Sequence, residues 1–118
     1  MTSRSVRRPS SARYALHAQS SIERERAWQA EYMISGVRDH VLALAYIRHG
    51  IAATQGRGVD LLPTEVTEPM AATLVRTPDG TELRRAFRAV TVALLTEIGY
   101  ADASLAQRLT APLRELAG

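Results

Sequence analysis

Residues 28–53 read WQAEYMISGVRDHVLALAYIRHGIAA. This is the longest stretch of the chain with a helical repeat and no proline. Ile34, Val37, Val41, Leu44 and Ala45 recur at the three- and four-residue spacing of one helix face. Met33, His40 and Ile47 widen that face. Glu31, Ser35, Arg38, Asp39, Tyr46 and His49 fall mainly on the other side. A helix apolar over more than half its circumference must be covered by other helices. The stretch therefore predicts a central helix, running to about Ala53, in a small bundle. Gly36 inside it costs about 1 kcal/mol relative to alanine. It is either simply tolerated or marks the close approach of another helix or a ligand.

Composition agrees with that reading. At 118 residues the chain suits one domain with a modest core. Hydrophobic residues make up 46% and aromatics only 5%, so Ala, Leu, Val and Ile must fill the interior. That favours close-packed helices over a β-sandwich, which draws on aromatic and β-branched residues. Cysteine is absent, which excludes disulfides, zinc–thiolate sites and thiol nucleophiles. No apolar run has the length of a membrane span, and no signal-peptide core follows the basic N-terminus. The expectation is a cytoplasmic protein.

The formal charge of +3 is unevenly placed. All 15 basic residues are arginine, and Arg4, Arg7, Arg8 and Arg13 precede Tyr14, where no acid occurs. The remaining 11 arginines face 12 acidic residues, so the body of the chain is close to neutral. Nucleic-acid binding by the folded part is disfavoured, because a phosphate-tracking surface needs clustered positive charge. Only the arginine-rich tail offers it.

Taken in order, residues 1–11 read as a disordered basic tail and 12–118 as a helical bundle domain. Ser10 or Ser11 can cap a first helix with Ala15, Ala18 and Ile22 on its apolar stripe. Glu23-Arg24-Glu25-Arg26 predicts a short interruption before the central helix. Gln55-Gly56-Arg57-Gly58 predicts a loop, and Leu61-Leu62-Pro63 tucks it against the core. Thr67 is placed to cap a short helix with Pro69 in its first turn. Asp79 and Glu82 form a capping-box pattern for a helix to about Gly99, with Leu83, Phe87, Val90, Leu94 and Ile98 on its stripe. Asp102 caps a last helix, and Pro112 is expected to interrupt it. The sum is an all-α bundle of four to five helices.

The densest polar constellation is Arg38-Asp39-His40, followed by Arg48-His49. Neighbours on a helix point about 100° apart, so the first three are no triad. Arg38 and Asp39 are expected as a solvated or salt-bridged pair, with Ser35 in reach of Asp39. His40 faces the apolar side. Glu23, Glu25 and Glu31 form a possible carboxylate cluster at a cleft mouth. Glu31, Arg38, Asp39 and His40 are the candidate substrate-binding residues. No catalytic residue and no metal ligand is assigned, since His17, His40 and His49 lack ligand spacing. Phosphate-loop and nucleophile-elbow motifs are missing.

Trp28-Gln29-Ala30-Glu31-Tyr32, Ile34 to His40 and Leu42 to Ala45 resemble the C-terminal helical part of bacterial nucleotidyltransferases of the kanamycin-nucleotidyltransferase-like kind. Gly56-Arg57-Gly58, Leu62-Pro63, Glu65-Val66-Thr67, Leu74-Val75-Arg76 and Glu82 to Ala86 fit as well. In that family a separate domain carries Gly-Ser and Asp-x-Asp motifs, and its carboxylates hold Mg²⁺ with a nucleoside triphosphate. Neither motif occurs in this chain. The resemblance implies an accessory domain, inactive alone and without a cofactor of its own. Its implied partner is a catalytic domain docked on an exposed apolar patch, where it helps shape the acceptor-substrate cleft.

The alternative is a stand-alone oligomeric interaction module, such as a regulator or antitoxin-like partner, which also suits the apolar central helix. An enzyme in its own right would use Glu31, Arg38 and His40.

Overall fold

The computed structural model describes residues 11–51 and 57–118. The expected tail before Ser11, and the loop residues 52–56 with the helix end expected at Ala53, lie outside them. The described residues are all-α. Helix α1 spans Ser11–Glu23, α2 Ala27–His49, α3 Thr64–Ala71, α4 Gly80–Ala101 and α5 Ala103–Ala117, with a 3₁₀ turn at Arg57–Leu61 before α3. Helix α2 packs against α1 and α4, and α4 packs against α5.

The expected break between α1 and α2 is present. Arg26 N–H donates to the Ser21 carbonyl (2.8 Å) and Glu25 N–H to the Ile22 carbonyl (3.1 Å). These bonds form a Schellman motif, which closes a helix through one left-handed residue. Glu25 takes that position at φ 58°, the sole non-glycine residue with positive φ among those described. Helix α2 stops in the same way, with Gly50 at φ 66° and Ile51 N–H donating to the Tyr46 carbonyl (2.9 Å). The glycine ends the helix short of the expected boundary because it takes the left-handed conformation without a Cβ clash.

The core is built from α2 and α4. Ile34, Val37 and Val41 meet Phe87, Val90 and Leu94, all fully buried, with Ala15, Ala18, Ala30 and Ala86 between helices. A Cβ added to Gly36 would lie 2.5 Å from the Tyr14 ring, so this glycine marks the close approach of α1. Two side chains depart from the expected face of α2. Tyr46 is buried with Ala45, Leu62 and Val66 in a second cluster, because the chain before α3 folds over it. Ile47, expected on the core face, is 78% exposed, and Trp28 is 79% exposed. The apolar face of α2 is therefore narrower at its ends than its sequence suggests.

Three further boundaries are corrected. Helix α3 begins at Thr64 behind Pro63, not after Thr67, so Pro69 lies beyond its first turn. Gly99 does not end α4, which runs on to Ala101. Asp102 accepts from Leu105 N–H (3.1 Å) as the expected cap of α5. Pro112 does not interrupt α5. The helix needs only its flanking bonds, and Leu113 and Ala117 beyond the proline are anchored by burial.

A strap, residues 72–79, joins α3 to α4 and is held by arginine. Arg85 donates to the carbonyls of Ala72 (2.7 Å) and Leu74 (2.8 Å), acceptors of the strap just past the end of α3. Glu82 fixes Arg85 by a bidentate pair (2.8 Å on each oxygen) and also accepts from Arg76 N–H (2.8 Å). Asp79 accepts from Glu82 N–H (2.9 Å), so half of the expected capping box forms, and the Glu82 side chain turns to the strap.

Two predictions follow from these turns. Glu25→Gly relieves the left-handed glutamate and should raise stability by about 1 kcal/mol. Urea denaturation checks it, with an unchanged midpoint counting against strain at this residue. Glu82 is held down to about 2, first by the Arg85 hydrogen bond and then by Arg76 N–H. Its depressed folded value gives stability that is present above the ordinary glutamate range and lost as pH falls towards 2. Glu82→Gln should therefore show a shallower loss of stability in thermal melts between about pH 5 and pH 2.

Candidate functional site

Arg38 crosses from the middle of α2 to the strap. Its Nε donates to Thr73 Oγ1 (2.8 Å), Nη2 to the Thr73 carbonyl (2.9 Å) and Nη1 to Ser35 Oγ (3.2 Å). Thr73 is fully buried, and its hydroxyl donates to the Met70 carbonyl (2.6 Å). Glu31 stands 3.8 Å from the same guanidinium. The expected Arg38–Asp39 pair is not formed. Asp39 is exposed a third of a turn away, and Ser35 serves Arg38. His40 is half-buried, edge-on to the Tyr14 ring with centroids 5.4 Å apart. Of the four candidate residues the structure brings together Glu31 and Arg38 alone, and Arg38 is engaged in holding the strap. The carboxylates of Glu23 and Glu25 lie near a different hollow, beside Asp79 and Arg84, away from Glu31.

The more developed polar constellation is in the last turn of α2. Arg48 Nε and Nη2 donate to the two oxygens of Glu97 on α4 (3.0 and 2.8 Å). The Glu97 side chain is only 6% exposed. The Arg48 guanidinium also lies 3.9 Å from the centroid of the Tyr100 ring, within cation–π range. The Glu97 hydrogen bond holds the Arg48 guanidinium above its ordinary range, against partial burial. His49, the next residue, has its Nε2 buried with no hydrogen-bond partner, the one such side-chain atom among the described residues.

These groups floor a cleft between α2, α3 and α4. A polar hollow of about 90 Å³ is lined by His49, Pro63, Glu65, Val66, Thr96 and Tyr100, with the ion pair at its base. An apolar hollow of about 140 Å³ continues along α3 and α4 past Pro69, Met70, Ala89 and Val92. Another, of about 240 Å³, lies towards the end of α4 between Leu44, Ile47, Tyr100 and Ala101. Sequence reasoning marked Arg48-His49 as part of the polar constellation and passed over Glu97. The signal was there: Glu97 follows Val90 and Leu94 on the buried stripe of α4, and an acid on a core face requires a partner.

No family model, no curated protein and no solved structure matches the chain. This corrects the nucleotidyltransferase-like, transferase designation carried by the resemblance, which has no match behind it. Among the described residues no three His, Asp or Glu side chains could together hold a metal ion. No helix of the described residues is long and apolar enough to cross a membrane.

The geometry around Glu97 generates a stability prediction. Glu97 is nearly buried while Arg48 is partly exposed, so removing Arg48 leaves a poorly hydrated carboxylate without its partner. Arg48→Met should cost about 3 kcal/mol at neutral pH, and adding Glu97→Leu should restore most of it. The measurement is a urea denaturation series over the two single variants and the double. Equal loss in Arg48→Met and in the double variant would show that Arg48 packing, not the stranded carboxylate, carries the effect.

Proposed function

We propose that this chain is a helical protein-interaction module whose docking face is the cleft around the Arg48–Glu97 pair. The observation that carries the reading is the joining of three hollows along one side of the bundle. Large apolar side chains stand open to solvent there: Ile47 at 78%, Tyr100 at 64% and Val92 at 60%. Monomeric proteins seldom leave large contiguous apolar patches uncovered. The charges at the floor already satisfy one another, so a docking partner does not have to neutralise them. Arginine stacked on tyrosine, ringed by aliphatic side chains, is also the composition typical of interface hot spots. The expected oligomeric or regulator-like module fits this arrangement. Trp28 and Tyr32, exposed one turn apart at the start of α2, supply a smaller second patch.

The reading is tested by affinity purification of tagged wild-type chain beside an Ile47→Asp, Tyr100→Ala variant with the same helical circular dichroism. The expected result is a stoichiometric companion, a second copy or another protein, retained by the wild type and lost from the variant. A wild-type chain that stays monomeric at high concentration and retains no companion overturns the reading.

A further inference from the structure

Two hollows of the docking face form one groove. The polar hollow of about 90 Å³ and the apolar hollow of about 140 Å³ share Glu65 and Val66 of α3 with Thr96 and Glu97 of α4. Glu65 and Thr96, both exposed, therefore stand on facing walls where the two hollows meet. We infer that this groove takes a basic, apolar segment of a partner protein. An arginine or lysine of the segment sets on Glu65 and Thr96, and a neighbouring ring or branched aliphatic side chain fills the apolar hollow. The inference rests on the docking-face reading above and gives the chemistry of the partner.

Three features point to that occupant. The first is charge. Arg48 and Glu97 on the floor neutralise one another, while Glu65 has no ion-pair partner among the described residues. The groove thus holds one carboxylate more than it holds guanidinium groups. Helix α3 adds Glu68 one turn on and carries no basic residue, and Arg88, exposed beside Ala89, lines neither hollow. The second is hydrogen bonding. Thr96 Oγ1 donates its proton to the Val92 carbonyl (2.9 Å), so its oxygen has only lone pairs left to offer. An ionised carboxylate is likewise acceptor-only, and Arg48 Nε and Nη2 are spent on Glu97. Acceptors from both walls match a side chain that only donates, which means a guanidinium or an ammonium group. The third is size. The apolar hollow is floored by Val41 and Met70, both buried, and walled by Pro69 and Val92. Apolar cavities near 150 Å³ take up a benzene ring, so one phenylalanine or leucine side chain fits. The apolar side chain then supplies affinity, and the charge at the rim sets orientation and choice of partner.

The test titrates the full chain with the dipeptide amide acetyl-Phe-Arg-NH2 and follows backbone amides by NMR. Saturable shifts are expected at Val66, Thr96 and Glu97. Acetyl-Phe-Glu-NH2, which reverses the charge, and acetyl-Gly-Arg-NH2, which removes the ring, should each bind about 10-fold more weakly. Glu65→Gln should erase the preference for the arginine peptide over the glutamate peptide, and Glu65→Lys should reverse it. Arg88→Gln should leave it unchanged. All three changes are at exposed positions, and helical circular dichroism checks that the fold is kept. Equal binding of the arginine and glutamate peptides to the wild type overturns the inference, as does an arginine preference that survives Glu65→Lys. Absence of saturable shifts in the groove overturns it too. If the companion found by affinity purification is retained by Glu65→Lys and lost only from the Ile47→Asp, Tyr100→Ala variant, the basic segment is refuted while the interaction module stands.

Discussion

The structure depends on helices packing closely around α2. With one phenylalanine and one tryptophan in the chain, and that tryptophan exposed, few large rings are available to fill space between helices. Alanine at 15, 18, 30 and 86 and glycine at 36 let backbones approach instead. Interiors must reach the density of organic crystals, so small side chains demand short interhelical distances. The tight Glu25 turn serves the same need, because it returns α2 along α1 within a few residues.

Arginine does structural work that lysine would do less well. Arg38 and Arg85 together satisfy three successive carbonyls, those of Ala72, Thr73 and Leu74, at the end of a short helix. Each uses several donors of one planar fork, a geometry that an ammonium group lacks. The strap is thereby tied to α2 on one side and to α4 on the other. Arg48 applies the same fork to Glu97, and there the pair lies on the floor of a cleft. The difference between a structural arginine and one at a candidate site is then a matter of surroundings: backbone acceptors in one case, exposed apolar walls in the other.

The candidate site was only half legible in advance. Arg48-His49 stood out as charged residues at the end of an apolar helix, and Glu97 lay on a buried stripe where an acid is out of place. Their meeting depends on how far α2 slides along α4, which no local pattern specifies. Arg38 and Asp39 illustrate the converse. Adjacent opposite charges suggested a pair, yet a buried threonine hydroxyl and carbonyl offered Arg38 better-desolvated partners. Tyr46 was misplaced for a related reason, since its burial is created by Leu62 and Val66 from a later segment.

Periodicity, the Glu23–Arg26 charge cluster, and the capping acids Asp79 and Asp102 by themselves determined the helical class and most of the turns, while Gly50, read as part of the helix, ended it early. These signals act within a few residues, so the chain states them locally. Tertiary structure alone decided which apolar residues remain uncovered, which arginine holds the strap and which pairs with Glu97. Those outcomes depend on the spacing and register of helices distant in sequence, and on the burial that each imposes on the other.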